Sequence, residues 1–252
     1  MTPSIVALIP AKRGSQRIRD KNIVPLRGHP LMAYSIRTAI ESGIFRDVYV
    51  CTNSRHYAAI ASEYGAQVIR GPEELFLPNV PDFGTFNHAL NHLAKQGGKL
   101  DCFAILRPTS PFRTAETIRR CWDAWLDGQP ADSIRAIQRV SEHPGKMWVV
   151  RGDIMYPLLP WDRDGTPWHS NQYQALPEIH VQNASLEMAW VGTVMKYGTI
   201  AGHVVLPFYT EGHEGFDINV WEDVEVAKGL IASNKAILPD LGATTSLEEW
   251  TT

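Results

Sequence analysis

The sequence is short of several features that would each point to a ready answer. It has only three cysteines in 252 residues, Cys51, Cys102 and Cys121, far apart and without a C-x-x-C pair. Nothing in their spacing supports a disulfide framework, and they read as reduced core thiols. His169 and His180 show no ligand spacing to each other or to those cysteines, so no zinc site is expected. No stretch reaches the roughly 18 apolar residues of a membrane span, and the start "MTPSIVALIPAKRG" lacks the apolar run of a signal peptide. A net charge of -3 offers no bulk attraction to nucleic acid. The phosphate-binding patterns G-x-x-x-x-G-K-[ST] and G-x-G-x-x-G are both missing, as are internal repeats and low-complexity tracts. The expectation is a cytoplasmic, enzyme-sized chain without a nucleic-acid or membrane partner.

What is present is an alternation. "SIVALIP" from Ser4 is a continuous apolar run, the pattern of a strand covered on both faces in a parallel sheet. "LMAYSIRTAIESG" from Leu31 is helical and stops at Gly43; "DVYVCTN" is a strand and "SRHYAAIASEYG" a helix with Ser54 as N-cap. "AQVIRG", "DFGTFNHALNHLAKQ", "LDCFAILRPTSP" and "TAETIRRCWDAWLDG" continue as strand, helix, strand, helix, the last opened by a weak capping box from Thr114 to Thr117. Such alternation means βαβ units and an open, mostly parallel α/β sheet with helices on both faces. After about residue 130 the rhythm changes. "SIRAIQRV" and "KMWVVRG" read as strands and lead into an irregular Pro- and Trp-rich stretch from Met155 to Pro177, the kind of segment that is functional or an interface. "SLEMAWVGTVMKYG" and "GHVVLPFYT" read as strand-like, "WEDVEVAKGLIASNKA" as a last helix. Trp148, Trp161, Trp168 and Trp190 read as core or interface anchors. The expected organisation is one domain over 1–240, an irregular inserted sub-lobe at about 140–182, and a polar tail at 241–252.

The loop after the first strand, "AKRGSQRIRDKN", carries Lys12, Arg13, Arg17, Arg19 and Lys21 around Gly14 and Ser15. In open α/β sheets ligands bind beyond the carboxyl ends of the strands. Gly14 lets the backbone turn its N–H groups outward while the cations neutralise charge, which suits a polyphosphate; a solvated basic loop is the plain alternative. In "GFDINVWED", Asp217 and Asn219 at i and i+2 can point to one side of an extended segment and suit Mg²⁺. The plain alternative there is the N-cap of the following helix.

"IPAKRGSQRIRDKN" resembles the signature loop of the cytidylyltransferases that activate sialic acid and related nonulosonic acids. The resemblance runs on in order through "PLRGHPLMAYSIRTAIESGIFRDVYVCTN", "GAQVIRGPEEL", "LRPTSPFRTAETI", "QALPEIHVQNASLEMAW" and "FDINVWEDVEVA", most of residues 4 to 230. It implies a Rossmann-like fold of the nucleotide-diphospho-sugar transferase type with a small dimerisation and sugar-side insert. It further implies that CTP is joined to a sugar acid, with Mg²⁺ as cofactor and pyrophosphate released, by a homodimer. By resemblance Ala11, Lys12, Arg13, Gly14, Ser15, Lys21 and Asn22 hold the nucleotide, with Arg70 at the base and Arg107 on the nucleotide side. Gln172, Gln174, Asn183 and Glu187 face the sugar, Asp217 and Asn219 the metal, and Lys12, Lys21 and Asp217 carry the catalysis.

Four positions depart from the pattern of that family. Lys12 stands for an arginine, Asn53 for an aspartate, Arg107 for a glutamine and Asn219 for the second metal aspartate. Arg107, as a donor-only cation, raises the alternative of another nucleotide or a phosphorylated acceptor. Lys12 and Asn219 together raise that of an inactive nucleotide-binding relative.

Overall fold

The computed structural model describes residues 2–77, 79–97, 99–159 and 165–242; Trp161 and most of the tail at 241–252 lie outside them. The elements run β1 (Ile5–Pro10), a short hairpin of β2 (Pro25–Leu26) and β3 (His29–Pro30), α1 (Leu31–Ser42), β4 (Val48–Thr52), α2 (Arg55–Glu63) and β5 (Gln67–Arg70). They continue as α3 (Asp82–Gln96), β6 (Cys102–Ile105), α4 (Ala115–Asp127), β7 (Ser133–Arg139), β8 (Trp148–Arg151) and β9 (Ile154–Pro157). The last are β10 (His180–Trp190), α5 (Val191–Tyr197), β11 (Val205–Tyr209) and α6 (Trp221–Ala232). Seven strands form one sheet in the order β11-β7-β10-β6-β1-β4-β5. β1 pairs parallel with both β4 and β6, and β4 parallel with β5, while β10 runs antiparallel to β6.

The apolar run of β1 splits between two cores, as a period of two demands. Ile5, Ala7 and Ile9 pack with Met32 and Ile36 of α1, Ile60 of α2 and Ile118 and Trp125 of α4. Val6 and Leu8 face the other way, onto Phe86, Leu90 and Leu93 of α3. Helices therefore cover both faces, and the strand is apolar throughout because neither face meets water. Each such buried side chain is worth about 1.5–3 kcal/mol, so the register of β1 is strongly held. The Thr114 capping box forms fully: Thr117 N–H donates to Thr114 Oγ1 and Thr114 N–H to Thr117 Oγ1, both at 3.1 Å.

Two readings of the sequence are corrected. "SLEMAWVGTVMKYG" changes from strand to helix after Trp190, and α5 ends on Gly198 at φ 63°, whose N–H donates to Val194 O. Val191 N–H donates to Asp101 O at the start of β6, so a tertiary bond turns the chain where the β-branched residues favour extension. The stretch from Met155, expected to be irregular, begins inside β9, which pairs antiparallel with β8 from Trp148↔Pro157 to Arg151↔Ile154.

The chain divides into two compact units, residues 137–182 and the described residues before and after them. The 137–182 unit holds the β8/β9 hairpin and segments tied by side chain to backbone bonds. His143 Nδ1 accepts from Gly145 N–H at 2.9 Å, which leaves Nε2 to donate to Pro177 O at 3.0 Å. Lys146 Nζ donates to the carbonyls of His169 and Asn171. Gln172 and Gln174 lie exposed on this unit. Trp148 and Trp168 lie tilted against the rings of His169 and His143 respectively.

Candidate active site

Parallel strands bring the chain ends after β1 and β6 to one edge of the sheet. There Ala11 N–H donates to Cys51 O and Leu106 N–H to Leu8 O. A cavity of about 390 Å³ opens at this edge. Lys12, Gly14, Ser15, Gln16, Arg17, Lys21 and Asn22 of the first loop line it. Leu75, Phe76, Asp82, Thr85, Arg107, Pro108 and Thr109 also belong to the lining, with Asp217 and Asn219.

The loop is shaped by its own chemistry. Gly14 sits at φ 105°, a conformation that L side chains rarely adopt, although a Cβ there would touch nothing within 4 Å. Asn22, buried, donates its amide to Lys12 O at 3.0 Å and closes the loop, and Ile18, wholly buried, pins its middle. Asp20 takes the hydroxyl of Tyr57 at 2.8 Å and pairs with Arg13 and Arg19. Among the described residues no carboxylate pairs with Lys12 or Arg17, so those charges are left for the cavity. Lys21 donates to Ile218 O at 3.0 Å. Burial lowers its pKa; Asp217 pulls the other way, and Arg17 and Lys12 add to the lowering.

Asp217 and Asn219 come together as expected from their spacing. Asn219 Nδ2 donates to Asp217 Oδ2 at 2.6 Å, while Asp217 Oδ1 is buried without a hydrogen-bond partner. The N-cap alternative is not what forms. Asp223 accepts the backbone N–H groups of Asn219 and Val220 and caps α6 itself. Ile218 N–H donates to Thr109 O at 2.9 Å, which stitches the 217–219 segment to the loop after β6. An orphaned carboxylate oxygen suits Mg²⁺, which takes one or two protein oxygens and completes its shell with phosphates and water. No group of three or more His, Cys, Asp or Glu that could hold a metal occurs among the described residues.

Arg107 behaves unlike the loop cations. Nη1 donates to Glu187 Oε1 at 2.5 Å and Nη2 to Asp82 Oδ2 at 3.0 Å. Burial alone would lower its pKa, but Glu187 and Asp82 outweigh that and raise it. The cation is neutralised from the protein side. Glu187 is itself buried, with its other oxygen 3.0 Å from Arg135. It therefore orders Arg107 and is not among the lining residues. Asn183 is likewise buried, donating to Thr210 Oγ1 and accepting from Ser185 N–H. Ala11, Arg13 and Arg70 do not line the cavity either. Ala11 is fully buried, Arg13 pairs with Asp20, and Arg70, exposed, donates to Asn53 O at 3.4 Å. Asn53 also has an account: its amide donates to Glu73 at 2.7 Å while its oxygen accepts Arg13 N–H. An aspartate there would set two carboxylates against each other.

Sequence reasoning missed Asp82 and Arg113. Arg113 is wholly buried, donating to Ser185 O, to Ser35 Oγ at 2.6 Å and to Arg107 O, and burial, then Arg107, push its pKa down. It holds the backbone that carries Arg107. The signal available was its place in "RPTSPFR", two residues past a proline.

A family described as cytidylyltransferase matches residues 6–136. N-acylneuraminate cytidylyltransferase of Escherichia coli is 42% identical over 90% of this chain and 52% of its own. CMP-N,N'-diacetyllegionaminic acid synthase of Legionella pneumophila is 38% identical over 46% of this chain and 50% of its own. The chain thus spans about half the length of these curated relatives. Among solved structures, CMP:2-keto-3-deoxy-manno-octonic acid synthetase complexed with CTP has a TM-score of 0.66, covering 92% of this chain and 99% of that one at 12% identity. That last likeness is one of fold.

Proposed function

Because the chain belongs to the cytidylyltransferase family, we propose that it joins CTP to a sialic-acid-like nonulosonic acid, forming a CMP-sugar and releasing pyrophosphate. The observation that carries this reading is the gathering of Lys12, Gly14, Ser15, Arg17 and Lys21 with Asp217 and Asn219 in the lining of one cavity at the carboxyl edge of the sheet. Its named relatives, which act on N-acylneuraminate and legionaminic acid, support the substrate class.

The sugar's anomeric hydroxyl attacks the α-phosphorus; a new P–O bond forms as the bond to the β-phosphate oxygen breaks and pyrophosphate departs. The protein's share is positioning and charge neutralisation. Lys12 meets the phosphates as a point charge and Arg17 with its planar guanidinium, with backbone N–H groups at Gly14 and Ser15 beside them. Lys21, held on Ile218 O, sits between the loop and Asp217. Mg²⁺, held through Asp217 with Asn219, would add positive charge on the triphosphate oxygens.

The phosphorylated-acceptor alternative required a free cation at 107, and Arg107 is already paired twice. We further place the reaction in the cytoplasm, in the making of a surface glycan, and in a homodimer. Support for the dimer is the apolar surface of the 137–182 unit, where Val150, Ile154, Met155 and Tyr156 are each about half exposed or more. No helix among the described residues is long and apolar enough to cross a membrane.

The test is pyrophosphate release by the purified protein with Mg²⁺, each of the four NTPs, and a panel of nonulosonic acids and sugar phosphates. Release with CTP and a free sugar acid is expected; release only with phosphorylated acceptors, or none, would overturn the reading.

A further inference from the structure

A chain of alternating charges runs from the interior of the sheet to the cavity wall. Arg135 lies 3.0 Å from Glu187 Oε2, Glu187 Oε1 takes Arg107 at 2.5 Å, and Arg107 reaches Asp82 Oδ2 at 3.0 Å. From Glu187 outward exposure rises, from 5% for its side chain through 23% for Arg107 to 40% for Asp82, while Arg135 behind it is 19% exposed. The open end is a carboxylate. Among the described residues Arg107 is the donor that reaches Asp82, and it takes one oxygen, leaving Oδ1 unclaimed.

A carboxylate here needs an explanation. Most charged groups lining the cavity are positive, as a polyphosphate requires, and an acidic side chain among them weakens that attraction. Asp217, the other acid in the wall, has the metal-type environment described above. Asp82 has none. It shares the lining with Leu75 and Phe76, the large apolar residues there, and lies away from the cationic loop in sequence. The first turn of α3 favours a negative residue, but a helix end does not call for a three-member ion-pair chain behind it. A held carboxylate oxygen is an acceptor and never a donor.

We propose that Asp82, aimed by Arg107 and Glu187, is a specificity-determining residue that accepts a hydrogen bond from an N–H or O–H of the bound ligand. Asp82 is the contact; Arg107 and Glu187 are positioning residues. The inference rests on the reading of the cavity as the nucleotidyl-transfer site. Two donors in the reaction have the right chemistry. One is the exocyclic amine of cytosine, where uracil presents a carbonyl that a carboxylate repels. The other is a hydroxyl or N-acyl N–H of the sugar acid. A site built to bond a donor rejects a ligand lacking it more strongly than an apolar pocket rejects a change of size.

The experiment compares the wild-type protein with Asp82→Asn, Asp82→Ala and Arg107→Lys. Ratios of kcat/KM are measured for CTP against UTP, and for nonulosonic acids with and without their hydroxyl and N-acyl donors. Asp82→Asn and Asp82→Ala are expected to lower kcat/KM for the preferred pair by about 10- to 100-fold. The selectivity ratio should collapse in one arm only: the nucleotide arm if cytosine is the donor, the acceptor arm if the sugar is. Arg107→Lys, which keeps a cation against Asp82, should retain more of that ratio than either Asp82 variant. An equal fall for every substrate with both ratios preserved would mean a structural role and overturn the proposal, as would an unchanged variant. If the wild-type protein turns over no nucleotide, the reading of the reaction fails. Calorimetric titration of CTP, UTP and the free sugar acids into wild-type and Asp82→Asn then decides the inference alone, by a changed or an unchanged affinity ratio.

Discussion

Two parts of the cavity lining treat their cations in opposite ways. In the loop after β1, Lys12 and Arg17 have no carboxylate partner among the described residues, and Lys21 is held by a backbone carbonyl. In the segment after β6, Arg107 is bound by two carboxylates and backed by a third ion pair. Both parts of the lining offer a cation when the residues are read off the chain. The difference teaches that a cation serves a ligand only where the fold has not already answered its charge. Uncompensated charge, costly in the free protein, is available to a triphosphate; compensated charge organises structure.

The largest expected effect comes from removing the acid that shares the cavity with the loop cations. Asp217→Ala should cut pyrophosphate release by about 100- to 1,000-fold or more with an unchanged circular dichroism spectrum; near-normal turnover would take Asp217 out of the site. Next, Lys12→Ala should lower kcat/KM for the nucleotide by about 10- to 100-fold. Arg13→Ala, one residue on but paired with Asp20 outside the cavity, should change it by less than about threefold. Equal losses from the two would erase the distinction between answered and unanswered cations.

The segment after β6 should respond in stability. Arg107→Ala leaves buried Glu187 with half its partners, and breaking such a pair costs about 3 kcal/mol. A chain of this size should then melt about 6–12 °C lower, whereas Lys12→Ala should leave the melting temperature nearly unchanged. The smallest effect is in the pH profile. Lys21 has a pKa below the ordinary 10.5, because burial and its cationic neighbours disfavour the charged form. Deprotonation removes a charge the triphosphate needs, so kcat/KM should decline on the alkaline side before an ordinary lysine would titrate. Lys21→Arg should push that decline to higher pH. For stability the sign is reversed: the unfolded chain binds this proton more tightly, so between the two pKa values the Lys21 contribution improves as pH rises.

Much of the fold was legible because local pattern and tertiary environment agree. The run "SIVALIP" is apolar on both faces because helices cover both, and Ser54 caps α2 by accepting Tyr57 N–H, as its position suggests. Where they disagree the sequence misled. α5 has seven residues, several of them β-branched, and its helical state follows from a bond to Asp101 and a turn at Gly198. The same division runs through the site. Lys12, Gly14, Ser15, Lys21, Asn22, Asp217 and Asn219 were visible because residue type and spacing carry their chemistry, and the cavity gathers all seven. Asp82 stood in a segment with no motif, and Glu187 was read as facing the sugar.

The alternation of strands and helices, the cationic loop at the first strand's end and the acid and amide two residues apart can be read from the order of residues alone. These follow from periodicity and from short-range stereochemistry, which act within a few residues. Only the tertiary structure decided which charges remain open. Arg107 meets Asp82 from 25 residues away and Glu187 from 80. Pairing at that range depends on sheet order and strand register, which no local pattern encodes, and it leaves Lys12 without a carboxylate partner among the described residues while it builds Arg107 into the scaffold.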